Sequence, residues 1–277
     1  MKDKVIRRYL IMMIAFGIII VFLLACAIYM GNYYHAEDAA FDAISSPVQT
    51  VSVTEDEKTS ITFTPNKPTT TGMIFYPGGK VEYESYAPLM EKLASKGILC
   101  VLVHMPGNLA ILDVDAADDI FEQYPDIQNW YIAGHSLGGY AAASYAADHD
   151  DRLSGLIMLA AYSGKDLSST SLTTLSIYGS EDGVLNLKKY KENKSLLPAA
   201  SKEIIISGAN HAYFGCYGEQ KGDGAASISN EEQMNLTAEY ISDFILSRLA
   251  RESCAPDSGL LQQTNSCPNP CSSSRSV

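Results

Sequence analysis

Short runs of uninterrupted apolar residues, spaced by segments of helical periodicity, constrain this chain more than any other feature. Ile98-Leu99-Cys100-Val101-Leu102-Val103 has no polar position in six. A strand with one face in water alternates apolar and polar residues. A strand without alternation is covered on both faces, as in a parallel sheet. Residues 72–76, 130–133, 155–160, 174–178 and 203–207 read as further strands of this sheet. Helical patterns fall between them. In 83–95, Tyr86, Leu89, Met90 and Leu93 recur at i, i+3, i+4 and i+7, and Gly97 follows. Other helices are expected at 116–124, 137–147 and 230–249, the last opened by a capping box of Ser229 and Glu232. Two short strands, 49–53 and 60–64, precede the series and are joined by a charged turn at 55–58. The alternation predicts an α/β domain over 48–250, with helices on both faces of a mostly parallel sheet. No internal repeat is visible.

The N-terminus follows different rules. Lys2, Lys4, Arg7 and Arg8 lie in a basic segment, 1–8, and an apolar run occupies 9–30. After Arg8 the next charged residue is Glu37. A run of about 20 apolar residues spans a bilayer as a helix. It lacks the polar face of an amphipathic core helix. Basic residues before it and Glu37, Asp38 and Asp42 after it predict a single-pass signal anchor with the domain outside the cytoplasm. Two processing alternatives remain open: Ala25-Cys26-Ala27 resembles a signal-peptidase site, and Leu23-Leu24-Ala25-Cys26 resembles a lipoprotein box. Residues 31–47 read as a linker or juxtamembrane helix. The tail, 251–277, is rich in Ser, Pro, Gln and Asn and is expected to be disordered. A net charge of −12 argues against nucleic acid as a partner. Cys100 reads as a buried small hydrophobe, whereas Cys216, Cys254, Cys267 and Cys271 can pair in an oxidising compartment. No cysteine or histidine cluster has the spacing of a metal site, and no cofactor is expected.

Residues 134–139 read Gly-His-Ser-Leu-Gly-Gly. The pentapeptide G-x-S-x-G alone is a weak signal. Here it follows the strand at 130–133 and opens the helix at 137–147, the setting of a nucleophile elbow. A serine aimed into a cleft from such a turn sits in a strained backbone. Side chains two residues to either side would collide, which is why glycine is needed there. The helix that follows directs its first N–H groups at the same place, favouring negative charge. Ser136 is therefore the candidate nucleophile.

A serine hydroxyl needs a base. Of five histidines, His35 lies near the apolar run, His104 ends an earlier strand, His135 precedes the serine, and His149 closes the helix after it. His211 alone follows the last predicted strand, and it is the candidate base. The acid should lie between serine and histidine, just after a strand. Asp182, in the turn Gly179-Ser180-Glu181-Asp182, is the choice, with Glu181 and Asp166 as rivals. An acid there fixes the imidazole tautomer and stabilises the imidazolium. Imidazole accepts a proton only while neutral, so activity is expected to fall below about pH 6.

Acyl transfer also needs donors for the oxyanion. The N–H of Leu137 is one candidate. The other comes from the loop Pro77-Gly78-Gly79-Lys80, with Gly79 favoured and Lys80 its alternative. Gly78, His135, Tyr213 and Phe214 are the candidate substrate contacts, the last two in a segment, 211–227, that is expected to form a pocket wall. Residues 161–173 are too few for a large lid.

The sequence resembles the extracytoplasmic dienelactone-hydrolase-like or carboxylesterase-like branch of the bacterial α/β-hydrolases. The resemblance rests on Tyr76-Pro77-Gly78-Gly79-Lys80-Val81, on 134–139, on Tyr178-Gly179-Ser180-Glu181-Asp182-Gly183 and on Asn210-His211-Ala212-Tyr213-Phe214-Gly215, and covers about 45–250. It implies an eight-stranded, mainly parallel sheet and a cofactor-free Ser–Asp–His triad at Ser136, Asp182 and His211. Dienelactone hydrolases carry cysteine where this chain has Ser136, which favours ordinary small-molecule esters as substrates. Thioesterase, acyltransferase and peptidase chemistry share the machinery. An inactive fold serving as a surface binding module is the reading from another class.

Overall fold

The computed structural model describes residues 2–56 and 59–253. Glu57, Lys58 and the tail from 254 onward, with Cys254, Cys267 and Cys271, lie outside the described residues. Eight strands form one sheet: β1 (Val51–Asp56), β2 (Ser60–Pro65), β3 (Thr71–Tyr76), β4 (Leu99–Val103), β5 (Asn129–His135), β6 (Gly155–Leu159), β7 (Thr173–Gly179) and β8 (Lys202–Ile206). Their spatial order is β1-β2-β4-β3-β5-β6-β7-β8. β1 and β2 pair antiparallel, as do β2 and β4, and every other pair is parallel. Five of the six apolar runs are thus interior strands, as their lack of alternation requires, whereas the run at 203–207 is the edge strand β8, largely exposed.

Each strand divides its side chains between two cores. Met73, Phe75, Cys100, Leu102, Tyr131, Ala133, Ile157 and Leu159 face one core. Helix α3 (Ala87–Ser95) and helix α7 (Asn230–Ser253) close that side. Ile74, Tyr76, Val101, Val103, Ile132, Leu156 and Met158 face the other core, against α4 (Asp118–Gln123) and α5 (Leu137–Asp148). The period of two along each strand decides which residues meet which helices. α5 buries Ala141, Ala142, Ala143 and Ala146, and their small side chains let the helix lie close on the sheet. A short helix, α6 (Leu187–Glu192), is capped by Asn186 Oδ1 accepting from the Lys189 N–H at 3.0 Å. Its six residues carry too little periodicity to be read from sequence.

Ahead of the sheet, α1 (Lys2–Met30) contains an apolar stretch, Ile6–Tyr29, long and apolar enough to cross a membrane and nowhere buried against the domain. The segment after it is more than a linker. Tyr34 forms a parallel bridge with Val81, and α2 (Asp38–Ser45) buries Ala40 and Ala43 in the first core. The Glu37 N–H donates to the Cys216 carbonyl at 2.9 Å. Cys216 is a buried free thiol whose Sγ–H donates to Glu37 Oε2, and burial with that carboxylate pushes it up to about 12. The cysteines with which it was expected to be able to pair lie outside the described residues. Cys100 is buried as expected.

Candidate active site

Three chain segments meet at the C-terminal edge of the parallel strands. β5 ends at His135, and Ser136 makes the turn into α5 with φ 52° and ψ −119°. A non-glycine residue at positive φ is strained and persists only where its surroundings hold it. Here the Ser136 N–H donates to the Leu159 carbonyl at 2.9 Å, and its carbonyl accepts from the Tyr140 N–H at 3.1 Å. A Cβ on Gly134 would lie 2.5 Å from the Gly138 backbone, and one on Gly138 would collide with the carbonyls of Tyr76 and Pro77. The glycines of the motif are therefore required by close backbone approach.

His211 follows β8, and its Nδ1 lies 2.9 Å from Asp182 Oδ2. Both side chains are 1% exposed. Asp182 Oδ1 accepts from the N–H groups of Val184 and Leu185 at 2.9 and 2.8 Å. A carboxylate held this way takes the Nδ1–H of the imidazole, which leaves Nε2 as the acceptor. Nε2 is buried and has no hydrogen-bond partner. The rivals lie elsewhere: Glu181 is exposed and bonds Ser180 Oγ, while exposed Asp166 accepts from the Ser168 N–H. Among the other histidines, His104 stacks on Tyr83, His149 stacks on Tyr145, and His35 faces Glu82.

Ser136 and His211 line one cavity of about 230 Å³. Leu137, Tyr140, Tyr162, Val184 and Leu185 complete most of its wall. On one side the loop after β3 comes in. A Cβ on Gly79 would lie 2.6 Å from Leu137 Cδ2, so the two backbones adjoin. The N–H groups of Gly79 and Leu137 have no acceptor among the described residues. The Lys80 N–H instead donates to the Asn108 carbonyl at 2.7 Å, which removes Lys80 as an oxyanion donor.

The alpha/beta hydrolase family model matches residues 72–235. The chain belongs to the alpha/beta hydrolase family. No curated protein matches its sequence. Solved structures share its fold at low sequence identity. Est1E from Butyrivibrio proteoclasticus has a TM-score of 0.53 at 16% identity, covering 73% of this chain and 100% of its own. A dienelactone hydrolase from Anabaena variabilis has a TM-score of 0.54 at 17% identity, covering 72% of this chain and 99% of its own. A novel esterase from Mycobacterium tuberculosis has a TM-score of 0.53 at 12% identity, covering 75% of this chain and 95% of its own.

The four expected substrate contacts of this alpha/beta hydrolase are misplaced. His135 is fully buried beneath the cavity, with its ring centroid 4.6 Å from that of His211. Its Nδ1 lies 2.8 Å from the Tyr86 hydroxyl, which also accepts from the Gly78 N–H at 3.0 Å. Phe214 is buried against the His135 ring, and Gly78 is buried beneath Tyr86. Tyr213 lines a separate depression with Asn210, Gln220 and Asp223. From the segment 211–227, only His211 reaches the cavity. One parity rule would have placed His135. It shares a face of β5 with Tyr131 and Ala133, which point into the first core. The same kind of rule finds Tyr140, one helical turn beyond Ser136.

Sequence reasoning also missed Asp223. Its Oδ1 accepts from the Gly183 N–H at 3.0 Å and its Oδ2 from the Ala212 N–H at 2.8 Å. One carboxylate thus joins the residue after Asp182 to the residue after His211. Among the described residues no group of His, Cys, Asp and Glu is arranged to hold a metal ion.

Proposed function

We propose that this alpha/beta hydrolase is a membrane-anchored serine hydrolase that cleaves small carboxylic esters through an acyl-enzyme. The observation that carries the reading is the His211 imidazole: it is bonded through Nδ1 to Asp182, its Nε2 has no partner among the described residues, and the residue lines the same cavity as the strained Ser136. Ser136 Oγ attacks the ester carbonyl and gives its proton to Nε2. The tetrahedral oxyanion rests on the N–H groups of Leu137 and Gly79 and on the N-terminus of α5. Collapse breaks the bond to the alcohol oxygen, which takes the proton from His211. Water repeats the sequence on the acyl-enzyme and releases the acid. Asp182 stays ionised and stabilises the imidazolium. The resemblance to esterase folds supports the fold, and the constellation supports the chemistry. The apolar helix Ile6–Tyr29 and the basic residues before it support an anchor with the domain outside the cytoplasm.

The test is covalent labelling with a fluorophosphonate alongside hydrolysis of a short acyl ester. The wild-type chain should label on Ser136 and turn over. Ser136→Ala should lose labelling and at least roughly 10³-fold of kcat, the scale of losing an activated nucleophile. A wild-type chain that never labels would reduce it to a binding module.

A further inference from the structure

The stretch that leaves the bilayer is hydrogen-bonded to the oxyanion loop. The apolar stretch ends at Tyr29. Five residues on, the Tyr34 N–H donates to the Lys80 carbonyl at 2.8 Å, and the Tyr34 carbonyl accepts from the Glu82 N–H at 2.9 Å. Lys80 directly follows Gly79, the proposed oxyanion donor. Five residue steps span at most about 18 Å even when fully extended. The polar layer on each side of the hydrocarbon is itself about 5–7 Å deep. Whatever the tilt of α1, covalent geometry therefore holds the Lys80 loop, next to the proposed oxyanion donor Gly79, within reach of the headgroup layer. In the structure the Lys80 ammonium sits 4.4 Å from the centroid of the Tyr29 ring. Tyrosine is a preferred residue at that depth, and Tyr33 adds a second ring.

The neighbouring surface suits the same position. The Lys80 N–H is held by the Asn108 carbonyl, and the chain continues into a 3₁₀ turn, Ala110–Leu112, that packs on α5. Ile111 is 49% exposed and Leu112 58%. Around the cavity, Tyr140, Val184 and nearby Leu187 are also exposed. Scattered surface hydrophobes need no explanation, but here Tyr140 and Val184 line the cavity, and Ile111 and Leu112 lie on the turn packed against α5, the helix that carries Tyr140. The cavity of about 230 Å³ is smaller than the roughly 300–1,000 Å³ that encloses a whole ligand. It takes the reacting end of a longer molecule, and the remainder lies outside.

Building on the serine-hydrolase reading, we infer that the substrate is an amphiphilic ester whose hydrocarbon part remains in the leaflet while its carbonyl enters the cavity. Ile111 and Leu112 meet the leaflet directly. Asp113 and Asp115 follow on the same loop and disfavour a strongly anionic surface, so a zwitterionic leaflet is the one proposed.

The experiment uses the full chain in phosphatidylcholine nanodiscs. It compares a fluorogenic oleate ester dissolved in that bilayer with a water-soluble fluorogenic acetate ester. One variant carries twenty Gly/Ser residues inserted between Gly31 and Asn32, and a second carries Ile111→Ser with Leu112→Ser. Wild type should turn over the oleate ester in preference. The insertion lengthens the tether about fivefold, and effective concentration falls as roughly the −3/2 power of length, so the oleate-to-acetate ratio should drop roughly tenfold. The double variant should lower the ratio in the same direction. An unchanged ratio in both variants, or an equal fall on both esters, overturns the inference while the serine chemistry stands. Failure of wild type on acetate together with failure of Ser136 to label removes the serine-hydrolase reading, and this inference with it.

Discussion

His135 lies beside the proposed base with its ring out of water. The Gly78 N–H donates to the Tyr86 oxygen, and burial pushes the Tyr86 hydroxyl well above its ordinary range. That hydroxyl therefore stays protonated and shares a hydrogen bond with His135 Nδ1. Burial, with His211 alongside, holds His135 well below the usual histidine value. Its folded state thus stays neutral where the unfolded chain takes a proton. The stability this confers is complete above about pH 6.5 and is lost as pH falls from there towards the folded value, at about 1.4 kcal/mol per unit. His135→Asn keeps an acceptor for Tyr86 and removes the titration, so its melting temperature should decline less steeply from pH 6.5 to 5 than that of wild type. Equal slopes by differential scanning fluorimetry would refute the argument. The residue was legible as a neighbour of Ser136 and misread as a substrate contact, because adjacency in sequence was weighed and the alternation of β5 was not. Ser136, Asp182 and His211 were legible for the opposite reason: each sits where a strand ends, and strand ends are readable from apolar runs.

Between elements, the acid and the base arrive on separate loops, after β7 and after β8, and a third loop ties them. Asp223 accepts from Gly183 and from Ala212, and its own loop packs so closely that a Cβ on Gly183 would come within 3.0 Å of the 222–224 backbone. The carboxylate touches neither Ser136 nor the cavity. It is a positioning residue for the His211–Asp182 pair, and displacing that pair by about 1 Å is enough to cost roughly 10²-fold. Asp223→Ala should lower kcat by roughly 10–100-fold and leave KM within about threefold, because the cavity wall is unchanged. Asp223→Asn keeps one acceptor oxygen and should recover part of the loss. A matched rise in KM, or a fall in activity that tracks melting temperature in both variants, would assign Asp223 to folding alone. Neither this clamp nor the docking of α2 on the domain was visible in the sequence. Both depend on hydrogen-bond partners far apart in the chain: Gly183 with Asp223, and Glu37 with Cys216. Hydrophobic period reports which face of an element is buried and carries no information about which distant N–H a carboxylate or carbonyl will meet.

At the scale of the whole molecule, the anchor and the domain have to agree about which side of the membrane the chemistry takes place on. Lys2, Lys4, Arg7 and Arg8 stand before the apolar stretch and Glu37, Asp38 and Asp42 after it, and the domain adds to a net charge of −12. The positive-inside rule counts the basic residues flanking the span, and by that rule a cytoplasmic N-terminus is predicted. The presence of a hydrophobic segment was legible from its length alone, but its fate was not, because Ala25-Cys26-Ala27 supplies a cleavage pattern within it. α1 runs through this site to Met30, and Tyr34 is docked on the domain shortly afterwards, an arrangement compatible with either fate. On the proposed anchor reading, a membrane-impermeant, charged fluorophosphonate applied to intact cells should label the chain, at its uncleaved mass, in membranes washed with alkaline carbonate. Labelling only after the cells are opened would place the domain in the cytoplasm and reverse the orientation. A shortened, labelled product in the medium would show that the tether is cut, leaving the oxyanion loop free of the bilayer although its bonds to Tyr34 survive.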